Sequence, residues 1–374
     1  MTDKNYKNTD TIIESIALTH VQVPVNLTFS YGKTTYFNLI IIKITTNNGI
    51  EGLGEGLIHP DGVWEQWISS WPKKLIGQDI LCLDNLLPPS NTHNERAVCE
   101  AFSIALHDAA AKTASIPFYS FLGGKRNTEV SVMACMFPEN PDQASELARK
   151  YTEQDVKALK VKLIGDFSED LNRIKAIRDV ASSEILLQGD ANEGYKSIED
   201  AQEAVLAFGD AGLDIFEDPL KGTPKDYCLL RKNLAGKGAK IMVDILTRKL
   251  SDLVDVIRNE SADILNFHAS EMGSITSLFQ RIHLAESFNL PFLIGGTGFA
   301  AVGSAAYQHI TAAVSTKFPA GELGGYIDHG MPKPLVQKPL LESLPNVKIP
   351  NTPGLGVSLD NSALSEFTVK TLCW

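Results

Sequence analysis

Ala158-Leu159-Lys160-Val161-Lys162-Leu163-Ile164 alternates apolar residues with two lysines. In a strand, side chains two apart share a face. Lys160 and Lys162 therefore point one way, and Leu159, Val161 and Leu163 the other. Lysines on the inward face of an apolar strand are costly to bury, and a fold tolerates them where an anion or catalytic chemistry compensates. Two adjacent ammonium groups also disfavour each other's charge. This predicts a lysine of lowered proton affinity, suited to act as a base. An exposed edge strand with solvated lysines is the alternative for this stretch alone.

Four further apolar runs follow, each ending in a polar residue. Glu184–Leu187 leads to Asp190, Leu213–Phe216 to Glu217, Ile241–Val243 to Asp244, and Ile264–Phe267 to His268. Successive steps from Lys162 through these residues are 28, 27, 27 and 24 residues. Each step holds one strand, one helix and two loops. That rhythm predicts a β/α barrel with its chemistry at the carboxyl ends of the strands. The parity within the runs agrees: Leu186, Gln188 and Asp190 share a face, as do Ile215 and Glu217, Met242 and Asp244, and Asn266 and His268. Singly, each carboxylate is an ordinary cap or loop residue. Phased together, Asp190, Glu217 and Asp244 converge on one point, where three carboxylates call for a cation. All-oxygen donors suit Mg²⁺, with Mn²⁺ as the alternative ion.

With Lys160-Val161-Lys162, Gly189-Asp190-Ala191-Asn192, Phe216-Glu217-Asp218-Pro219 and Val243-Asp244 in place, the chain resembles the enolase superfamily. Within it, the muconate-lactonizing-enzyme-like (mandelate racemase/muconate lactonizing enzyme) group is the one it is similar to. The resemblance implies an α/β fold: a modified TIM-type (β/α)7β barrel with an α+β capping domain. It implies that Lys162 is an acid/base catalyst and that Asp190, Glu217 and Asp244 hold Mg²⁺. It also implies removal of the proton next to a substrate carboxylate, through an enediolate. The expected division is a capping domain over residues 1–125, a barrel over 126–340, and a segment over 341–374 returning to the cap.

The chain departs from the group's usual pattern in places. His268 stands where a second lysine is usual, across the barrel from Lys162, and its proton affinity near neutrality suits it to give or take a proton. Ile245 replaces a usual Glu, and Gly273-Ser274 a glycine pair. The expected catalytic residues are Lys162, His268 and Lys160. Lys160, Asn192, Tyr31 and Thr297 are expected to contact substrate. The expected activity is that of an isomerase, a racemase, epimerase or cycloisomerase. A dehydratase (lyase) of a hydroxy or sugar acid is the alternative, and a non-catalytic relative that binds a small acid is a second. Homo-oligomers are common in the group.

The totals fit. A barrel takes roughly 250 residues, and 374 leaves room for a smaller domain. The net charge of −11 argues against nucleic acid or anionic membrane as partners, leaving a small carboxylate substrate. No run resembles a membrane span. The start lacks a signal peptide's apolar segment, and five scattered cysteines make no metal spacing, so a cytoplasmic protein is expected.

Elsewhere the pattern predicts strands at Ser15–Val23, Tyr36–Thr46 and Glu51–Gly56, with a polar turn at Asn26–Tyr31 and a hairpin at Asn47-Asn48-Gly49. Gly54-Glu55-Gly56 reads as a glycine turn without dinucleotide spacing. By resemblance, the loops at Pro24–Lys33 and Gly56–Gly62 close over substrate, which makes Tyr31 and His59 candidates for specificity. A helix covers Asn94–Thr113, where His107 and Asp108 are structural. The barrel opens at Val130–Met136, and Lys317–Glu322 is its last strand. His309 is a packing residue.

Overall fold

The computed structural model describes residues 11–30, 32–59, 72–87, 92–127, 129–268, 271–316 and 318–374. It opens with an antiparallel sheet of β1 (Ile13–Phe29), β2 (Gly32–Thr46) and β3 (Glu51–Ile58). The polar turn expected at Asn26 is instead more of β1. A register shift between Pro24 and Leu27 absorbs the proline, and pairing resumes from Leu27↔Thr34 to Phe29↔Gly32. Leu27 and Phe29 are buried there, so packing of alternate residues overrides the turn-forming Asn26. The Asn47–Gly49 hairpin forms as expected, with Gly49 at φ +80° and its N–H donating to Thr46 O.

Helix α1 (His93–Thr113) starts on a capping box of Thr92 and Glu95. Its alanines at 97, 101, 105 and 109 recur every four residues and make one narrow face. The glycines at 52, 54 and 56 lie in β3, not in a turn, and they admit that face. A Cβ at each would stand 1.8–2.3 Å from a carbonyl oxygen of Ala105, Ala101 or Ala97. Glycine is required here for close approach.

After α2 (Phe118–Phe121) the run expected to open the barrel is split. β4 (Val130–Ser131) pairs with β12 (Asn346–Val347), and β5 (Ala134–Met136) enters the barrel. Strands and helices then alternate. They are α3 (Pro141–Thr152), β6 (Ala158–Lys162), α4 (Phe167–Arg178), β7 (Leu186–Asp190), α5 (Ile198–Asp210), β8 (Ile215–Glu217) and α6 (Pro224–Leu234). There follow β9 (Lys240–Val243), α7 (Leu250–Arg258), β10 (Ile264–His268), α8 (Ile275–Ser287), β11 (Phe292–Gly295) and α9 (Val302–Ala313). β5 to β11 form one parallel sheet in chain order. The run ending at Glu322 closes the ring without becoming a regular strand. Gly321 exchanges backbone hydrogen bonds with Ser131 and Met133, and the Glu322 N–H donates to Ile294 O. The tail passes through α10 (Asn361–Phe367) to β13 (Thr368–Cys373), which pairs with β1 in the cap sheet.

Inside the barrel, Ile215, Met242, Ile264 and Leu293 fill the floor. The outward residues, among them Leu159, Val161, Phe216 and Phe267, pack under the helices. The strand parity read from the sequence is the parity of the structure. The polar residues therefore all lie above an apolar plug, at the carboxyl mouth. Among the described residues no helix is long and apolar enough to cross a membrane.

Cap and barrel are joined by buried polar clips. Asp108 accepts from Leu53 N, Leu355 N and Lys112 Nζ, and His309 bridges Tyr119 N and Leu355 O. Glu55 of β3 is fully buried and caps α9, accepting from Ala300 N and Gly303 N. Burial pushes its carboxyl up to about 7 against the lowering effect of these N–H groups. The folded state thus binds this proton more tightly than the unfolded chain does. The associated stability is present below the ordinary glutamate value and lost as pH rises through 7. We expect Glu55→Gln to flatten the pH dependence of unfolding free energy between pH 5 and 7.5, by up to about 1.4 kcal/mol per pH unit. Urea titrations across that range read the slope; an unchanged slope would contradict the assignment.

Candidate active site

The site is set by register. Lys162 on β6 lies beside Asp190 on β7, and Asp190 beside Glu217 on β8. One step lower, Lys160 lies beside Gln188. Asp244 follows β9, and His268 ends β10 next to Gly295 on β11. All six candidate catalytic and metal residues face the same mouth, because each shares the inward parity at or near the carboxyl end of its strand.

Lys160 is buried and ion-paired three times. Its Nζ is 2.7 Å from Glu217 Oε2, 2.8 Å from Glu322 Oε1 and 3.0 Å from Asp190 Oδ2. Lys162, nearer the mouth, reaches Asp190 Oδ2 at 2.5 Å and Asn192 Oδ1 at 3.1 Å. The expectation of a lysine with lowered proton affinity is therefore corrected for the metal-free protein. Burial pulls both lysines down, but Asp190 and Glu217, with Glu322 for Lys160, outweigh it, and both sit above the ordinary lysine value. A lysine pair among this many acids is neutralised by them rather than by its own repulsion. Asp190 is held well below the usual range despite its burial, because both lysines face it. Glu217 goes the other way, pushed up to about 8 by burial and by Asp190.

The site carries more acid than cation. Asp190, Glu217, Asp218, Asp244 and Glu322 are all buried, against Lys160, Lys162 and Arg248. Asp244 Oδ1 is buried without a hydrogen-bond partner. Oxygen atoms of Glu217 and Asp244 and a ring nitrogen of His268 lie within 4.8 Å of one another. A surplus of acid, an unpartnered buried oxygen and converging donors fit a divalent cation.

Asn192, at φ +44°, donates its N–H to Asp190 Oδ1 while its side chain accepts from Lys162, so it braces both. Thr297 is half-buried beyond β11, and its Oγ1 is unpartnered. His59 is exposed, its ring tilted at 36° against that of His93 with centroids 4.6 Å apart. Tyr31 lies outside the described residues.

Several residues of the site are not evident from the sequence reading. Gln188 and Asn266 share the inward parity, and each donates to Glu217 and Glu322. Glu322 ends the closing run and reaches the centre of the ring. Asp218 accepts from the N–H groups of Asp244 and Ile245, which seats the loop after β9. Arg248 binds Asp244 at 3.0 Å and Glu271 at 3.6 Å. Glu271 also pairs with His93 and Arg96 of α1. Hydrogen bonding from His93 and the charges of Arg248 and Arg96 hold Glu271 down at about 2 despite its burial. A half-buried ionic chain thus runs from the cap helix to Asp244. The parity of Gln188 and Asn266, the place of Asp218 in the Phe216–Pro219 motif and that of Glu322 at the end of the last expected strand are signals for these residues; Arg248 and Glu271 carry none.

A family profile described as "Enolase C-terminal domain-like" matches residues 143–363. A second, "Mandelate racemase / muconate lactonizing enzyme, N-terminal domain", matches residues 12–123. N-succinyl-L-Arg/Lys racemase of Bacillus cereus is 25% identical over 371 residues, spanning 96% of this chain and 98% of the relative. Chloromuconate cycloisomerase of Pseudomonas putida is 24% identical over 373 residues, spanning 95% and 99%. The crystal structure of dipeptide epimerase from Cytophaga hutchinsonii, complexed with Mg and the dipeptide D-Ala-L-Val, superposes with a TM-score of 0.84. It is 25% identical, and the match covers 97% of this chain and 99% of that one. With matched profiles spanning both its cap and its barrel, the chain belongs to the mandelate racemase/muconate lactonizing enzyme group of the enolase superfamily.

Proposed function

We propose that the protein is a divalent-metal-dependent isomerase that removes the proton α to the carboxylate of a small acid, with Lys162 as the base. One observation carries the reading: a lysine at the mouth in register with two buried carboxylates, Asp190 and Glu217, above an apolar barrel floor. The relatives named racemase, epimerase and cycloisomerase support the isomerase class.

Asp190, Glu217 and Asp244 are proposed to hold Mg²⁺ or Mn²⁺. Such an ion, when bound, offsets the charge of the substrate carboxylate and of the enediolate that deprotonation produces. Lys160, fully buried and held charged by three acids, keeps its proton and offers the substrate carboxylate a fixed positive charge. Lys162 differs because its strongest partner is Asp190 alone. A cation held by Asp190 would weaken that acid's hold on the Lys162 proton, and burial and Lys160 would then favour the neutral amine. Asn192 keeps that amine aimed. Gln188 and Asn266 fix Glu217 through side-chain N–H donors, so the acid cannot swing toward Lys162.

The direct test is solvent exchange. A panel of N-acylamino acids and dipeptides is incubated with the protein and Mg²⁺ or Mn²⁺ in D₂O, and α-deuterium is read by NMR. We expect exchange on at least one acid that stops on addition of a chelator. Exchange that continues without metal, or its absence across small carboxylates of all these kinds, sinks the proposal.

A further inference from the structure

We infer that His268 is a nitrogen ligand of the bound ion, beside Glu217 and Asp244, rather than a proton carrier on the opposite wall. The inference rests on the metal reading above and deepens it. A ring nitrogen of His268 lies within 4.8 Å of carboxylate oxygens of both Glu217 and Asp244. Donors on opposite sides of one ion, with bonds of about 2.1 Å, stand about 4.2 Å apart, so a movement of roughly half an ångström joins all three.

Three further observations point the same way. Asp244 Oδ1 is buried and unpartnered, because Arg248 takes only Oδ2. His268 Nε2 is 3.8 Å from Glu322 Oε2, beyond hydrogen-bond reach, so no strong bond holds it away from an ion. Finally, the seat of the ring is cut into the barrel wall. Gly295, the register partner of His268, has ordinary backbone angles, yet a Cβ there would stand 2.4 Å from His268 Nε2 and 2.4 Å from Asn266 Oδ1. The glycine is needed for space, and the space is filled by the imidazole.

Two consequences follow. An imidazole donor shifts preference from Mg²⁺ toward Mn²⁺, Co²⁺ or Zn²⁺. An imidazole committed to an ion does not shuttle protons, so Lys162 is left to take and return the proton on one face. That narrows the isomerase reading toward one-base reactions, cycloisomerisation among them.

The test uses the full-length protein with one equivalent of Mn²⁺. Calorimetry gives stoichiometry and affinity, and electron spin-echo envelope modulation detects a directly bound ¹⁴N. The expected result is one ion per chain, a ¹⁴N signal, and affinity for Mn²⁺ over Mg²⁺ of roughly tenfold or more. His268→Gln should lose the ¹⁴N signal and most of that preference while still binding one ion. Should that variant misfold, Gly295→Ala serves instead; it leaves every ligand in place but crowds the ring, and it should weaken or abolish the signal. One bound ion without ¹⁴N coupling in the wild type, or coupling unchanged in His268→Gln, overturns the inference and leaves the metal reading intact. No stoichiometric ion in the wild type overturns both.

Discussion

Lys162→Ala lowers metal-dependent α-deuterium exchange by roughly 100- to 10,000-fold, the range a positioned acid/base group supplies, while the protein stays folded and still binds one Mn²⁺. Lys162 supports this separation of effects because it is the more exposed of the two lysines, with its side chain 15% accessible against 3% for Lys160. Its removal frees Asp190 from one partner, yet Lys160 still neutralises that acid at 3.0 Å. Lys162→Arg makes a sharper control. It keeps the charge and the contact with Asp190, but guanidinium does not deprotonate, so a role in holding the acids is rescued and a role as base is not. Exchange at the wild-type rate in either variant removes Lys162 from the chemistry.

The architecture was legible because one physical rule acts at every strand. Side chains alternate faces, so a polar residue ending each apolar run must arrive at the same rim. That rule puts Lys160, Lys162, Asp190, Glu217, Asp244 and His268 on one mouth from the sequence alone. It failed for residues whose role depends on pairing between distant segments. Glu322 ends the run expected to be the last strand, but its reach to Lys160, Gln188 and Asn266 depends on ring closure, which sequence does not show. Glu271 joins the site only because α1 brings His93 and Arg96 against it from far earlier in the chain, and Arg248 links it to Asp244.

The cap misled for a related reason. Asn26 and Pro24 carry turn signals, but the buried positions around them, Val23, Val25, Leu27 and Phe29, continue the alternation of a strand. The glycines of β3 look like a turn until the alanine face of α1 is set against them. The raised lysines make a parallel case in electrostatics: neighbouring like charges are visible in sequence, whereas the strength with which Asp190 and Glu217, with Glu322 for Lys160, outweigh them depends on how closely other segments approach.

Lys160→Met should be the most damaging single change to the metal-free fold. Methionine matches the length of the lysine stem but leaves Asp190, Glu217 and Glu322 buried without the ammonium they share. Removing one member of a buried ionic cluster costs about 3–5 kcal/mol; here Asp190 keeps Lys162, whereas Glu217 and Glu322 keep only the neutral amide donors of Gln188 and Asn266. Protonation relieves part of this, and Glu217, already pushed up to about 8, is placed to take the proton. Stability of the variant should accordingly recover as pH falls from 8 toward 5, and Mn²⁺ at neutral pH should recover it too, since a cation on these carboxylates replaces the lost charge. Urea unfolding of wild type and variant, with and without Mn²⁺ at pH 8 and pH 5.5, separates these effects. Lys157→Met, which removes an exposed lysine paired with Asp155, should change little. If Lys160→Met unfolds at the wild-type midpoint without metal, the buried acids are not balanced by Lys160, and the charge surplus that makes this mouth a cation site loses its basis.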